Sequence, residues 1–161
     1  MMKMSVETVR EYLTKFGVQE RIMEFDSSSA TVELAAAVVG VIPARIAKTL
    51  SFKTPDSAML IVAAGDAKID NRKFKDKFGY KAKMLSFDEV SELIGHPVGG
   101  VCPFALKDGV EVFLDESMKR FETVFPAAGS ASSAVELSCD ELFGCSRAKE
   151  WIDVCKIPEN V

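Results

Sequence analysis

The sequence predicts an α+β fold with a mixed, mostly antiparallel sheet surrounded by helices. Short apolar runs with strand character recur along the chain and do not alternate one for one with long helices. Two of these runs are separated by a four-residue turn, which is typical of an antiparallel hairpin. The glycine fingerprints of doubly wound nucleotide-binding sheets, G-x-G-x-x-G and G-x-x-x-x-G-K, are absent from the sequence.

The helices are indicated by apolar residues at helical spacing and by residues suited to their ends. Val6, Val9, Leu13 and Phe16 have this spacing in the first of them. The predicted helices cover 5–17, 30–39, a short piece that starts at Pro43, the stretch from Asp70 to near Gly79, about 87–94, and a last helix that begins at Ser138. The polar cluster 26–29 precedes the second of them. Ser86 with Glu89, and Ser138 with Glu141, have the spacing of capping boxes.

The strands are indicated by short apolar or β-branched runs between turn residues. The predicted strands cover 21–25, 47–53, 58–64, 110–115, 123–128 and 134–137. The turn 54–57 contains Pro55 and Asp56, so the second and third strands are expected to form a hairpin. Pro126 is expected at an edge or bulge, because proline cannot donate to a sheet ladder.

Length and composition favour one domain spanning 1–161. The chain has 161 residues, of which 48% are hydrophobic, a globular composition. The first residues lack the apolar run and cleavage site of a signal peptide. No apolar run approaches the ~20 residues of a membrane helix. A soluble, cytoplasmic protein without membrane contact is therefore expected.

Charge is unevenly distributed along the chain. The net charge is −4, which argues against a general nucleic-acid coat protein. Residues 68–83 nevertheless contain seven basic and two acidic side chains, a local charge of +5. The segment is interpreted either as a solvated helix face or as a docking patch for a phosphate-rich ligand.

The cysteines do not have the spacing of a metal site. Cys102, Cys139, Cys145 and Cys155 form no C-x-x-C pair, and His96 is the one histidine. Free, packed thiols are expected, with no metal. No G-x-S-x-G or H-E-x-x-H motif is present. A Cys102–His96 nucleophile pair remains the basis of a cysteine-hydrolase alternative.

Lys48 is the first candidate site residue, because it interrupts the apolar segment IAKTLSF. Strand alternation places Lys48 and Leu50 on one face and Ala47, Thr49 and Ser51 on the other. One interpretation is a lysine on an edge strand whose amine reaches water. The other is a cation on the floor of a cleft that holds a phosphate.

The loop 98–103 is the second candidate, with the sequence Val-Gly-Gly-Val-Cys-Pro. Gly99 and Gly100 permit backbone angles closed to other residues, and Pro103 stiffens the exit. Backbone N–H groups in a stiff loop can bind a carbonyl oxygen or an oxyanion. A plain turn between a helix and a strand is the simpler interpretation.

Several motifs in order resemble the YbaK-type aminoacyl-tRNA deacylases and the related editing domain of some bacterial prolyl-tRNA synthetases. They are A-K-T-L around Lys48, A-G-D at 64–66, G-H-P-V-G-G-V-C-P-F at 95–104, F-L-D at 113–115 and V-E-L at 135–137. The resemblance covers roughly residues 20–145. It implies a barrel-like sheet and hydrolysis of an amino acid wrongly attached to a tRNA, most often a proline tRNA.

The resemblance also implies roles for individual residues. Lys48 is expected to hold the phosphate region of the terminal adenosine. The backbone of Gly99, Gly100, Val101, Cys102 and Pro103 is expected to place the aminoacyl ester. Catalysis would rely on a bound water or on substrate groups, with no metal or other cofactor. The implied partners are the acceptor end of aminoacyl-tRNA and, as a further candidate, prolyl-tRNA synthetase.

The sequence departs from the family pattern at pocket positions. Cys102 stands where serine is common, Ala105 where glycine is common, and Ala134 where some relatives carry aspartate. Phe25 falls near a tyrosine position, and Thr31 and Cys102 are candidate pocket residues. The amino acid removed is therefore left open. A non-catalytic module that binds tRNA or a synthetase is the main alternative function.

Overall fold

A computed structural model describes residues 6–26, 31–96 and 101–158 of the chain. Its helices are α1 (Val6–Thr14), α2 (Val32–Val39), α3 (Asn71–Phe78), α4 (Phe87–Glu89, continued by a π-helical turn Val90–Ile94) and α5 (Cys139–Ser146). Short 3-10 turns occur at Gln19–Arg21, Pro43–Arg45 and Glu116–Arg120. No helix among the described residues is long and apolar enough to span a bilayer.

The strands are short except for two in the middle of the sheet. They are β1 (Ile22–Glu24), β2 (Ile46–Lys53), β3 (Ala58–Ala64), β4 (Lys68–Ile69), β5 (Glu111–Asp115), β6 (Thr123–Pro126), β7 (Ser133–Val135), β8 (Leu137–Ser138), β9 (Glu150–Ile152) and β10 (Cys155–Lys156).

Six strands form the main sheet in the order β8-β6-β2-β3-β5-β9. The predicted hairpin is present, since β2 and β3 pair antiparallel from Ala47↔Ala64 to Lys53↔Ala58. The β2–β6, β3–β5 and β5–β9 pairings are parallel. The β6–β8, β1–β7 and β4–β10 pairings are antiparallel, as is the hairpin. The α+β class with a mixed sheet is thus confirmed.

The core is built around β3. All seven of its residues are buried, because helices and neighbouring strands cover both faces of this central strand. Val9 and Leu13 of α1 and Phe74 of α3 belong to the same main cluster. A second cluster joins Ala35 and Ala36 of α2 to Ile46, Phe125 and Ala134, and it holds α2 against the start of β2.

Most predicted boundaries agree with the structure within a few residues, and the exceptions have local causes. The cap of α2 is Thr31, whose Oγ1 accepts from the Leu34 N–H at 3.1 Å. Of the expected cap cluster, residues 27–29 lie outside the described part of the chain. The single strand expected at 134–137 is divided at Glu136 into β7 and β8.

Pro126 is the last residue of β6, a strand with neighbours on both sides. The pairing with β8 covers Thr123 and Val124 only. Pro126 has no partner in β8, so its lack of an N–H removes no hydrogen bond from the β6–β8 pairing. Strands β4, β9 and β10 were not predicted, since they form by pairing with segments that are distant in the sequence.

Candidate functional site

A cleft of about 520 Å³ lies beside β2, between the start of α2 and the start of α4. This volume is in the range of small-molecule sites. Its described lining comprises Thr31, Val32, Ala35, Ile46, Lys48, Thr49, Leu50, Ser51, Met84, Leu85, Phe87, Val90 and Val101. These side chains include one cation and no carboxylate, imidazole or thiol. The cleft therefore offers apolar walls around a single positive group.

Lys48 supplies that positive group from an inner strand. β2 lies between β3 and β6, although its pairing with β6 ends at Ala47. The half-buried Lys48 amine donates to the carbonyl of Gly65 at 3.3 Å and to the carbonyl of Ala67. The side chain of Lys48 therefore does not extend freely into water. This differs from the interpretation of Lys48 as a lysine on an edge strand whose amine reaches water. An ammonium has three donors, so one remains for a ligand in the cleft.

Burial lowers the pKa of the Lys48 ammonium below its ordinary value, while the nearby carboxylates of Asp66 and Glu33 act in the opposite direction. The two backbone carbonyls also favour the charged form, because hydrogen bonds to a charged group stabilise that form. Partial desolvation strengthens the attraction of this cation for an anion. The site is thus suited to binding a phosphate.

An ion pair stabilises the turn that holds Lys48. Asp66 accepts from two nitrogens of Arg120, at 2.5 and 3.1 Å. Arg120 Nε also donates to the Ser117 carbonyl at 2.8 Å, and Ser117 Oγ accepts from the Ala64 N–H at 3.1 Å. The hydrogen bond from Arg120 holds the pKa of the Asp66 carboxyl below its usual value. These contacts from the turn Glu116–Arg120 therefore help to hold the two carbonyls in their orientation toward Lys48.

Gly65 is required in this turn by a close backbone approach. A Cβ built at this position would lie 2.1 Å from the carbonyl oxygen of Pro43 and 2.8 Å from Val32. The Gly65 N–H meanwhile faces the Ala44 carbonyl at 3.4 Å. The absence of a side chain thus lets the Pro43–Arg45 turn and α2 pack directly against the support of Lys48.

The second predicted element, the loop 98–103, is only partly within the described residues. Gly99 and Gly100 lie outside them. Val101 lines the cleft, whereas Cys102 and Pro103 are buried. The structure therefore brings Lys48 and the exit of this loop to one cleft.

Cys102 and His96 are neighbours in the core and do not line the cleft. Cys102 Sγ lies 3.6 Å from His96 Nε2, and that nitrogen lies 2.7 Å from the Phe104 carbonyl oxygen. A carbonyl only accepts, so Nε2 carries the proton and cannot take one from the thiol. Burial raises the pKa of Cys102 to about 12 and lowers the pKa of His96. This arrangement disfavours the cysteine-hydrolase alternative.

The two remaining predicted pocket residues are placed differently. Thr31 lines the cleft, where its hydroxyl also caps α2. Phe25 packs against the second cluster and is absent from the described cleft lining. Ala134 is buried in the same cluster.

Three features of the site were not predicted. Met84 and Phe87 line the cleft with 56% and 73% of their surface exposed, which is unusual for apolar side chains of this size. The Asp66–Arg120 pair joins residues that are 54 positions apart. No local pattern predicts such a contact, although the matched A-G-D motif already pointed to Asp66.

Among the described residues, no group of three or more His, Cys, Asp or Glu side chains is placed to hold a metal ion. The four cysteines are unpaired, and Cys139 is the one of them that is not fully buried.

Comparison with known proteins gives a consistent result. The family model for the aminoacyl-tRNA editing domain matches residues 26–145. The uncharacterized protein YwhH of Bacillus subtilis (strain 168) is 56% identical over 154 residues, which are 95% of this chain and 98% of YwhH. The proline–tRNA ligase of Bacillus licheniformis is 27% identical over 133 residues. That match covers 78% of this chain but 23% of the ligase, so the chain is similar to a small part of that enzyme.

Solved structures agree with the sequence comparison. A crystal structure of a candidate trans-editing enzyme for prolyl-tRNA synthetase superposes with a TM-score of 0.86 and 25% identity, over 97% of this chain and 99% of that one. The hypothetical protein APE2540 superposes with a TM-score of 0.82 and 29% identity, over 92% and 99% of the two chains.

Proposed function

The chain belongs to the aminoacyl-tRNA editing domain family, and on that premise we propose that it hydrolyses the ester of mischarged aminoacyl-tRNA in trans. The observation that carries the proposal is the position of Lys48, whose amine is fixed by two carbonyls on the wall of a ligand-sized cleft. A proline tRNA is the proposed substrate, because proline–tRNA ligases and a candidate trans-editing enzyme are among its relatives.

Lys48 is proposed to bind the phosphate of the terminal adenosine. Two of its donors are used by Gly65 and Ala67, so the third is available to a ligand in the cleft that Lys48 lines. Because the side chain of Lys48 is already held in place, it loses little conformational entropy when it binds and positions the substrate. Thr31 stands on the same cleft and is proposed to contact the bound nucleotide or amino acid.

The loop Gly99–Pro103 is proposed to place the aminoacyl ester through its backbone. Val101 at the cleft rim supports this assignment. Water would add to the ester carbonyl carbon to give a tetrahedral oxyanion. The bond to the ribose oxygen would then break, with a proton passing to that oxygen, to release the amino acid and the tRNA. N–H groups held in a stiff loop would stabilise the oxyanion.

A base from the protein is not part of the proposed mechanism. The described cleft lining contains no carboxylate, imidazole or thiol, and the proton of His96 is held by the Phe104 carbonyl. An aminoacyl ester is already activated, so positioning and oxyanion stabilisation can carry much of the rate. A substrate hydroxyl or a bound water is the proposed proton acceptor. The reaction would take place in the cytoplasm, where charged tRNA is used.

The test is hydrolysis of proline tRNA charged with alanine, serine, threonine or cysteine, with correctly charged prolyl-tRNA as the control. The proposal predicts release of at least one noncognate amino acid above the uncatalysed rate and sparing of proline. Binding of the tRNA without release of any amino acid would instead support the non-catalytic binding module. A cleft of about 520 Å³ leaves the choice among these small side chains to the experiment.

A further inference from the structure

A positively charged surface lies beside the cleft, on α3, on the irregular segment that follows it and on strands β4 and β10. We name it the α3 basic surface and define it by six exposed cations. They are Lys68, Arg72, Lys75, Lys81, Lys83 and Lys156. Within the described part of the chain, none of their charged groups forms an ion pair.

The geometry of α3 separates these cations from the other lysines of the helix. Phe74 faces the core, while Lys73 and Lys77 are each 3.0 Å from a carboxylate, of Asp153 and Glu150 respectively. Arg72 and Lys75 are three residues apart and share a different face. They line a concavity of about 430 Å³ together with Asn71, Lys81 and Ala82. Three cations thus surround one depression without a partner anion.

Like charges also face each other on the adjoining strand pair. Lys68 of β4 is directly opposite Lys156 of β10. Like charges in such a cross-strand pair are destabilising. Nearby Asp70 is already engaged as the cap of α3, where it accepts from the N–H groups of Arg72 and Lys73. An anion bound from outside would relieve this repulsion.

The α3 basic surface adjoins the cleft at both ends of the segment 68–83. Lys68 follows Ala67, whose carbonyl accepts from Lys48, and its charge contributes to lowering the pKa of Lys48. At the other end, the Lys83 carbonyl accepts from the Lys53 N–H of β2 at 2.8 Å. The next residues, Met84 and Leu85, line the cleft. A chain of phosphates that ends at Lys48 can therefore continue over these cations.

We propose that the α3 basic surface binds the phosphate backbone of the acceptor stem of the tRNA whose 3′ end enters the cleft, an inference that rests on the proposed function. Evenly spaced phosphates match unpaired lysine and arginine side chains, and their neutralisation makes binding depend on salt. The rest of the chain is acidic, because the net charge is −4 although residues 68–83 carry +5. The tRNA is therefore expected to dock on this side only.

The test compares the triple variant Arg72→Gln/Lys75→Gln/Lys81→Gln with a control of equal charge, Lys15→Gln/Lys107→Gln/Lys119→Gln. All six side chains are exposed. On charged proline tRNA, the first variant is expected to lose about tenfold or more in kcat/KM at low salt, and the slope of log kcat/KM against log salt should fall by about 2 to 3. On 3′-O-alanyl-adenosine 5′-monophosphate, which lacks the stem, both variants should match the wild type.

Binding of uncharged proline tRNA keeps this inference separable from the proposed function. If no charged tRNA is hydrolysed but the triple variant weakens tRNA binding with the same change in salt slope, the function is wrong and the surface assignment holds. If hydrolysis is efficient and the two triple variants have equal kcat/KM and equal salt slopes on tRNA, the surface assignment is wrong. A loss on the minimal substrate as large as the loss on tRNA would also overturn it.

Discussion

At the scale of single residues, the fixed amine of Lys48 distinguishes this cleft from an ordinary surface depression. Its strand places it correctly, but the two carbonyls that fix it come from a turn 17 to 19 residues later. The interruption of an apolar strand predicted Lys48 as a candidate site residue, and Lys48 lines the cleft. The hydrogen bonds could not be predicted, because they depend on how β3 ends and turns beside β2.

Cys102 is expected to be dispensable for activity. Its thiol is fully buried with a pKa of about 12, so a thiolate is scarce near neutral pH. Cys102→Ala should keep kcat/KM within about threefold of the wild type and lower the free energy of unfolding by about 1 kcal/mol through a small cavity. Kinetics on charged tRNA and urea unfolding measure the two effects. A loss of activity beyond about a hundredfold in a folded variant would restore the cysteine-hydrolase alternative.

Phe87 is expected to stack on a nucleobase of the tRNA 3′ end. It lines the cleft with 73% of its surface exposed, so its ring stabilises the fold little. Base–aromatic stacking contributes about 1–3 kcal/mol, so Phe87→Ala should lower kcat/KM by about 5- to 150-fold. Phe87→Trp should retain activity, and Ile42→Ala, exposed outside the described cleft lining, is the control. Wild-type kinetics for Phe87→Ala would refute the stacking role.

At the scale of elements, the turn Gly65–Ala67 connects the core strand β3 to the site. Gly65→Ala should destabilise the protein by about 2 kcal/mol or more, because its Cβ would meet the Pro43 carbonyl at 2.1 Å. Gly144→Ala in α5 is the matched control, since nothing lies within 4 Å of its added Cβ. That change should stabilise the protein by about 0.5–1 kcal/mol. Chemical unfolding of both variants measures the contrast, and equal effects would contradict the close packing at Gly65.

The Asp66–Arg120 pair should make stability depend on acid pH. A carboxyl whose pKa is lower in the folded state contributes stability above its unfolded pKa, and loses it as the pH falls through the folded value. The pKa of Asp66 is lowered by the hydrogen bond from Arg120. Asp66→Asn should therefore cost about 2 kcal/mol at pH 7, and the difference from wild type should shrink below about pH 4.

Urea unfolding from pH 7 to pH 3 tests this pH dependence, with the exposed Asp108→Asn as the control variant. A difference between wild type and Asp66→Asn that stayed constant over the whole range would show that the ion pair does not hold the turn.

Elements with local signals could be predicted, and elements made by distant contacts could not. The capping boxes at Ser86/Glu89 and Ser138/Glu141 are present as expected, because their hydrogen bonds lie within four residues. Strands β4, β9 and β10 exist only through pairing with distant segments. Phe87, Val90 and Ile94 have the spacing of a buried helical stripe, yet Phe87 faces the cleft. The spacing alone therefore predicts a buried Phe87 and gives no sign that this residue lines the cleft.

At the scale of the whole molecule, the cations proposed to contact the tRNA lie in two neighbouring regions, the cleft and the α3 basic surface. The cleft holds one cation among apolar walls, and the α3 basic surface holds unpaired cations around a shallow depression. The sequence indicated the basic segment but left its role open, because a run of lysines does not show which of them are paired. The structure separates the paired Lys73 and Lys77 from the unpaired Arg72 and Lys75.

We expect Lys48, in the cleft beside β2, to promote hydrolysis of the aminoacyl ester. The decisive measurement is kcat/KM for release of the preferred amino acid from charged proline tRNA by the wild type and by Lys48→Met. Loss of a charged hydrogen bond predicts a decrease of about 10- to 150-fold, with Lys48→Met still folded. Equal kcat/KM values for the two proteins would contradict this role of Lys48 and show that the active site lies elsewhere on the chain.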